Sequence, residues 1–154
     1  MNPNSKSDTV NSLQLTDVSK KYGTGQTVFS GLNYEFKPAT ATGLVGPNGS
    51  GKTTVLRLLG VAAFPTSGTI TYRSINIHEK PYDYLKHVGI VNDLAVLPEH
   101  LTAVELLEWI LRAKDRWNGD AQKNIAMLLD QLHLDDRRHN LIGTYSSGMI
   151  RKAQ

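Results

Sequence analysis

The 154-residue sequence contains no cysteine. This absence excludes a disulfide framework, a thiolate nucleophile and a zinc site built on cysteine. The sequence also lacks an apolar run near the ~20 residues that cross a bilayer, and its polar start lacks a signal-peptide core. Basic residues exceed acidic ones only by 17 to 14, and they are scattered. Nucleic-acid binding is therefore not expected, because it requires a concentrated basic patch.

Strand patterns dominate the first half of the sequence. Apolar and polar residues alternate over 13–18 and 32–36, which predicts an antiparallel pair of strands. The unbroken apolar runs at 41–45 and 88–91 instead predict strands that are buried on both faces. Residues 1–11 are polar and are expected to be disordered.

Helical patterns dominate the second half, after a first helix predicted over 53–59. Thr102 and Glu105 form a capping-box pattern at the start of a helix with a wide apolar face. Apolar residues recur with helical spacing over 125–132, and Ser146 or Ser147 is a candidate N-cap for a final helix.

The segment GPNGSGKT at 46–53 matches the phosphate-binding pattern G-x-x-x-x-G-K-[ST] between a predicted strand and a predicted helix. Glycines let the backbone N–H groups surround a phosphate, and the helix N-terminus adds partial positive charge. Lys52 would contact the β- and γ-phosphates, and the Thr53 hydroxyl would bind Mg²⁺. The alternative is a glycine-rich turn with a solvated lysine.

With Thr54 included, this loop resembles that of the nucleotide-binding subunit of ABC transporters. The resemblance extends over most of the chain. Its other motifs are VSKKYG at 18–23, PTSGTI at 65–70, VGIV at 88–91, LPEHLTAVE at 97–105 and the signature YSSGM at 145–149.

The resemblance implies a set of ATP-binding residues. The loop would bind the phosphates, Tyr22 would stack on adenine, and the signature would close over the nucleotide of a second ATP-binding domain. The implied loop residues are Gly46, Asn48, Gly49, Ser50, Gly51, Lys52, Thr53 and Thr54, and the signature residues are Ser146, Ser147 and Gly148. Without the family register, Tyr22 would be a surface aromatic and SSGM a helix cap.

Two departures from the family pattern affect catalysis. Asp93 stands where the family's Q-loop glutamine belongs. The Walker B strand, with its aspartate and catalytic glutamate, is expected after the signature, and the 154 residues do not contain it. Asp130 is not the Walker B aspartate, because it lies before the signature and its apolar neighbours have helical period; it is expected on the surface of a helix. The five histidines form no metal-ligand pattern and are expected on the surface or in loops.

The resemblance implies an α/β fold over 12–154: a P-loop NTPase core with an antiparallel β subdomain and an α-helical subdomain at about 93–144, truncated before Walker B. It implies an ATP-binding subunit that uses Mg²⁺ and ATP to power transport. The YS-x-GM form of the signature suggests an exporter. Although the family has ATPase activity, this chain alone is expected to be inactive.

The implied partners are a membrane-spanning transporter subunit and a second ATP-binding domain, in a homodimer or heterodimer. This arrangement would place the chain peripherally, at the cytoplasmic face of a membrane. Two alternatives are a truncated, hydrolysis-deficient relic or regulatory module, and a soluble ABC-type ATPase.

Overall fold

The computed structural model describes residues 12–91 and 96–154, and the chain divides into two compact units at Val88 and Gly89. The first unit contains all the strands of the described residues, together with two helices. Its elements are β1 (Leu13–Lys21), β2 (Thr27–Phe36), α1 (Lys52–Leu59), β3 (Ser67–Tyr72), β4 (Ile75–Asn76) and α2 (Pro81–Leu85).

The four strands form one antiparallel sheet with the order β2–β1–β3–β4. Leu13 on β1 pairs with Phe36 on one side and Tyr72 on the other. Alternation along β1 and β3 turns apolar side chains toward α1. The resulting buried cluster consists of Leu15, Val18, Leu58, Ile70, Ile77 and Tyr84. The predicted antiparallel pair is thus confirmed.

The prediction of strands buried on both faces at 41–45 and 88–91 is wrong. Residues 41–45 form no strand, and Val45 is 97% exposed. Residues 88–91 also form no strand, and Ile90 and Val91 are exposed. A strand requires a neighbour for its backbone hydrogen bonds. Within 12–91 and 96–154, no strand pairs with either run.

The second unit is helical, with α3 (Ala103–Ala113), α4 (Ala121–Gln131), α5 (Ser147–Ala153) and short 3₁₀ turns at Asp135–Arg137 and Ile142–Thr144. Its core is apolar. The buried residues are Ala103, Leu106, Ile125, Leu129, Leu134, Ile142 and Tyr145. Trp117 packs against this core, whereas Trp109 is 64% exposed. Asp130 is exposed on α4, as the helical period predicts.

The predicted capping box at the start of α3 is confirmed. Thr102 Oγ1 accepts the Glu105 N–H at 3.2 Å, and Glu105 Oε2 accepts the Thr102 N–H at 2.8 Å. Hydrogen bonds from the Thr102 backbone and side chain keep the pKa of Glu105 below its usual range. Among the described helices, none combines the length and apolar character required to cross a membrane.

Candidate functional site

The phosphate-loop segment leads directly into α1, and its backbone requires glycine. Gly49 has φ +82° and Gly51 has φ +91°, a region that side chains with a Cβ rarely adopt. A Cβ on Gly51 would lie 2.9 Å from Val28 Cγ1 and 3.3 Å from Phe29 Cδ1. Close packing against β2 therefore requires glycine at 51, independently of any ligand.

Lys52 folds back over the loop that precedes it. Its Nζ donates to Gly46 O at 2.7 Å and to Pro47 O at 2.8 Å, and it lies 3.5 Å from Ser50 Oγ. No side chain caps the start of α1. The first N–H groups of a helix have no partner within the helix, so they and the nearby ammonium suit an anion.

The remaining loop residues lie on the surface. Gly46, Asn48 and Ser50 are exposed, as is Thr53 in the first turn of α1, while Thr54 is half-buried. An exposed hydroxyl at Thr53 can serve as one oxygen ligand of a hard cation. In the part of the chain that the structure describes, no three His, Asp or Glu side chains form a metal-binding group.

Tyr22 directly follows β1 and lies at the end of the hairpin that contacts the loop. Lys21, its neighbour, pairs with Thr27 on β2, and the next residues of β2 are those that reach Gly51. The Tyr22 side chain is 46% exposed. Lys20 Nζ lies 4.7 Å from its ring centroid. The hairpin thus brings an accessible aromatic ring and the phosphate loop to the same end of the sheet.

Tyr84 holds the C-terminal end of α1, and His78 contacts the segment that follows the helix. Tyr84 Oη donates to Leu59 O at 2.9 Å, and burial raises the pKa of Tyr84 to about 12. His78 Nε2 lies 2.9 Å from Ala63 O, and its buried Nδ1 has no hydrogen-bond partner. Burial lowers the pKa of His78. Neither contact has a local sequence signal, and sequence reasoning missed both.

The signature residues lie in the second unit, at the start of α5. Ser146 Oγ accepts the Met149 N–H at 3.3 Å and caps the helix. Ser146, Ser147 and Gly148 are all exposed. A Cβ on Gly148 would meet nothing within 4 Å. Tyr145 anchors the segment because its buried hydroxyl donates to Arg137 O at 2.8 Å, and burial raises its pKa.

Two further sequence predictions have different outcomes. Asp93, at the predicted Q-loop position, lies outside the described residues. His78 lies in a turn, as a loop histidine should, although its ring is half-buried.

A comparison with protein families decides the class of this chain. The sequence profile of the family described as "ABC transporter" matches residues 29–154. The chain belongs to the ABC transporter family. The family resemblance that the motifs indicated is thus confirmed, and the relatives reported next are themselves named as ATP-binding proteins or subunits.

Several ABC transporter proteins match over nearly the whole chain. Linearmycin resistance ATP-binding protein LnrL of Bacillus subtilis (strain 168) is 31% identical over 91% of this chain and 45% of its own length. Daunorubicin/doxorubicin resistance ATP-binding protein DrrA of Streptomyces peucetius is 29% identical over 91% of this chain and 42% of its own length. Nod factor export ATP-binding protein I of Cupriavidus metallidurans is 31% identical over 91% of this chain and 46% of its own length. The chain thus spans less than half of these relatives.

Solved structures confirm the fold class. A structure titled "Structure of ATP binding subunit of ABC transporter" is 25% identical and matches with a TM-score of 0.84, covering 92% of this chain and 58% of that one. A putative ABC transporter ATP-binding protein from Pyrococcus furiosus is 22% identical and has a TM-score of 0.75. The match covers 93% of this chain and 67% of the Pyrococcus protein. The fold is therefore that of an α/β P-loop NTPase, as predicted.

Proposed function

We propose that this protein binds Mg²⁺ and ATP through the loop before α1 and serves an ABC exporter as its ATP-binding subunit. One observation carries the proposal: the uncapped start of α1 and the Lys52 ammonium are held together on a glycine loop. The family match supports ATP as the ligand. Relatives named for drug resistance and Nod factor export support an exporter.

The loop would bind ATP by an exchange of partners at Lys52. Phosphate oxygens would replace the carbonyls of Gly46 and Pro47, which now accept from its Nζ. A charge-assisted hydrogen bond to phosphate is stronger than one to a neutral carbonyl. The N–H groups at the start of α1 would bind the same phosphates, together with the backbone around Asn48, Gly49, Ser50 and Gly51.

Two further residues would complete the nucleotide site. The exposed Tyr22 ring would stack on the adenine, and the Thr53 hydroxyl, with Thr54 beside it, would help to hold Mg²⁺. When bound, Mg²⁺ neutralises part of the phosphate charge. The residues present fit this role because the exposed Thr53 hydroxyl lies beside the proposed anion site.

The proposed assembly pairs this chain with a second ATP-binding domain and with a membrane-spanning subunit at the cytoplasmic face of a membrane. In this dimer, Ser146, Ser147 and Gly148 would contact the γ-phosphate bound by the partner domain. Their exposure and the open space at Gly148 support a contact made outside the chain.

The decisive experiment is a titration with fluorescent ATP. Lys52→Ala removes the charge-assisted contact and should weaken ATP affinity about 30- to 150-fold, or about 2–3 kcal/mol. Lys123→Ala is the matched control, because Lys123 is exposed on α4 and its loss changes the net charge equally. Its ATP affinity should equal that of the wild type. Equal affinities of the wild type and Lys52→Ala, with both proteins folded, would remove the phosphate-site assignment.

We further propose that these 154 residues alone do not hydrolyse ATP. They contain no glutamate after the signature to orient the attacking water, and no Walker B aspartate to support Mg²⁺. Phosphate release by the wild type should therefore equal that of Lys52→Ala. Multiple turnovers above this background would contradict the proposal. Asp93 and Asp130 would then be the carboxylates to test for a role in hydrolysis.

A further inference from the structure

We propose that Lys20 is a positioning residue for the nucleobase: it occupies one face of the Tyr22 ring, so that the base of a nucleoside triphosphate stacks on the opposite face. This inference rests on the proposed function, because it assumes that Tyr22 receives the base. It adds a residue that acts through the ring and does not itself touch the nucleotide.

The lysine is fixed by two contacts. Its Nζ lies 4.7 Å from the centroid of the Tyr22 ring and donates to Phe64 O at 2.7 Å. Tyr22 lies just after the end of β1, two residues beyond Lys20, so the two side chains are close along the chain. A cation within about 6 Å of an aromatic face is attracted to it. The hydrogen bond to Phe64 holds the ammonium in place on this face.

The same segment ties the end of β1 to the chain that follows α1. Lys21 N donates to Thr66 Oγ1 at 2.9 Å, and Thr66 N donates to Ser19 O at 2.8 Å. With the bond from Lys20 to Phe64, these contacts join the strand end that carries Tyr22 to residues 64–66. Since α1 leads into this segment, the contacts set the position of the ring relative to the phosphate-loop helix.

The position of the cation has a consequence for stacking. Tyr22 is 46% exposed, and Lys20 occupies one of its faces. A base can then stack on the other face, in the manner of aromatic platforms that bind nucleobases. Lys20 would therefore influence affinity for a nucleotide that has a base, and would not influence affinity for its phosphates alone.

The test compares ATP with inorganic tripolyphosphate, which has the phosphates but no base, by isothermal titration of the 154-residue chain. Lys20→Met keeps the apolar stem and removes the ammonium. It should lower ATP affinity about two- to five-fold and leave tripolyphosphate affinity unchanged. Lys20→Arg keeps a cation and should retain ATP affinity. Lys21→Met removes the same charge one residue away, where the side chain is exposed, and should change neither affinity.

A double-mutant cycle tests whether Lys20 acts through the ring. In a Tyr22→Ala background, Lys20→Met should have no further effect on ATP affinity. An equal loss in both backgrounds, or an equal loss for ATP and tripolyphosphate, would overturn the inference. So would a wild-type ATP affinity in Lys20→Met.

The proposed function fails by a different result. If Lys52→Ala binds both ligands as the wild type does, the phosphate site itself is absent. If Lys52→Ala weakens both ligands and Lys20→Met weakens neither, only the role of Lys20 is refuted.

Discussion

The two serine- and glycine-containing helix starts of this chain are built differently. The helix α1 begins after Gly51 without a side-chain cap, whereas Ser146 Oγ caps α5 through the Met149 N–H. The first turn of α1 therefore offers more unpartnered N–H groups to an anion than that of α5. Helix α1 also has an ammonium, that of Lys52, folded over the loop before it.

The glycines of the two segments differ as well. Gly51 has φ +91°, and a Cβ there would lie 2.9 Å from Val28 Cγ1. A Cβ on Gly148 would meet no atom within 4 Å, and the backbone of Gly148 is not in the left-handed region of positive φ. The fold of the first unit requires its glycine, whereas nothing described around Gly148 requires one. If glycine matters at 148, the reason lies in something that approaches from outside.

The largest effect expected from this difference concerns dimerisation. Gly148→Asp adds bulk and a negative charge where we propose that a partner's γ-phosphate lies. It should abolish ATP-dependent dimerisation and leave the ATP affinity of the monomer unchanged, since we propose that the signature contacts the nucleotide of the partner domain. The measurement is light scattering with ATP and with ADP, on a version of the protein extended to include a Walker B segment.

Gly119→Asp is the matched control for this dimerisation test. Gly119 also meets nothing within 4 Å and also lies in the second unit, so its substitution should leave the dimer intact. A loss of monomer ATP binding in Gly148→Asp would mean that the signature acts on its own chain. A dimer that is insensitive to Gly148→Asp would mean that the segment is only a helix cap.

Local signals predicted the parts of the fold that depend on neighbours in sequence. The alternation of β1 and β2, the capping box of Thr102 and Glu105, and the cap at Ser146 all involve residues a few positions apart or a simple period. The backbone and side chains of such segments supply most of the interaction that defines them. The sequence therefore predicts the starts of α3 and α5 correctly.

Features that depend on distant partners could not be predicted in this way. The apolar run at 41–45 indicates a preference for burial but does not specify the strand that must pair with it. The packing of Val28 against Gly51 joins residues far apart in sequence and has no motif. Strand alternation does not predict the contact of Lys20 with Tyr22 either, because Tyr22 lies beyond the end of β1 and the strand register shifts at Lys20.

A smaller difference is expected in stability when Gly51 and Gly148 are each replaced by alanine. Gly51→Ala forces a Cβ into a left-handed backbone and against Val28, and should destabilise the first unit by about 1–3 kcal/mol. Gly148→Ala places a better helix former in the first turn of α5 without a clash, and should be neutral or stabilise that helix by up to about 1 kcal/mol. Amide hydrogen exchange measures both, because it follows β1 and β3 separately from α5.

For Gly51→Ala, exchange of the most protected β1 and β3 amides should accelerate about five- to 150-fold, which corresponds to the same free energy. The α5 amides should serve as the internal reference in that variant, and the β1 amides in Gly148→Ala. Tryptophan fluorescence gives a second check on the reference, because Trp109 and Trp117, the two tryptophans of the chain, both lie in the second unit. Unchanged protection of β1 in Gly51→Ala would mean that the loop moves away from Val28 at little cost. The glycine would then serve the ligand alone, and the contrast between the two helix starts would disappear.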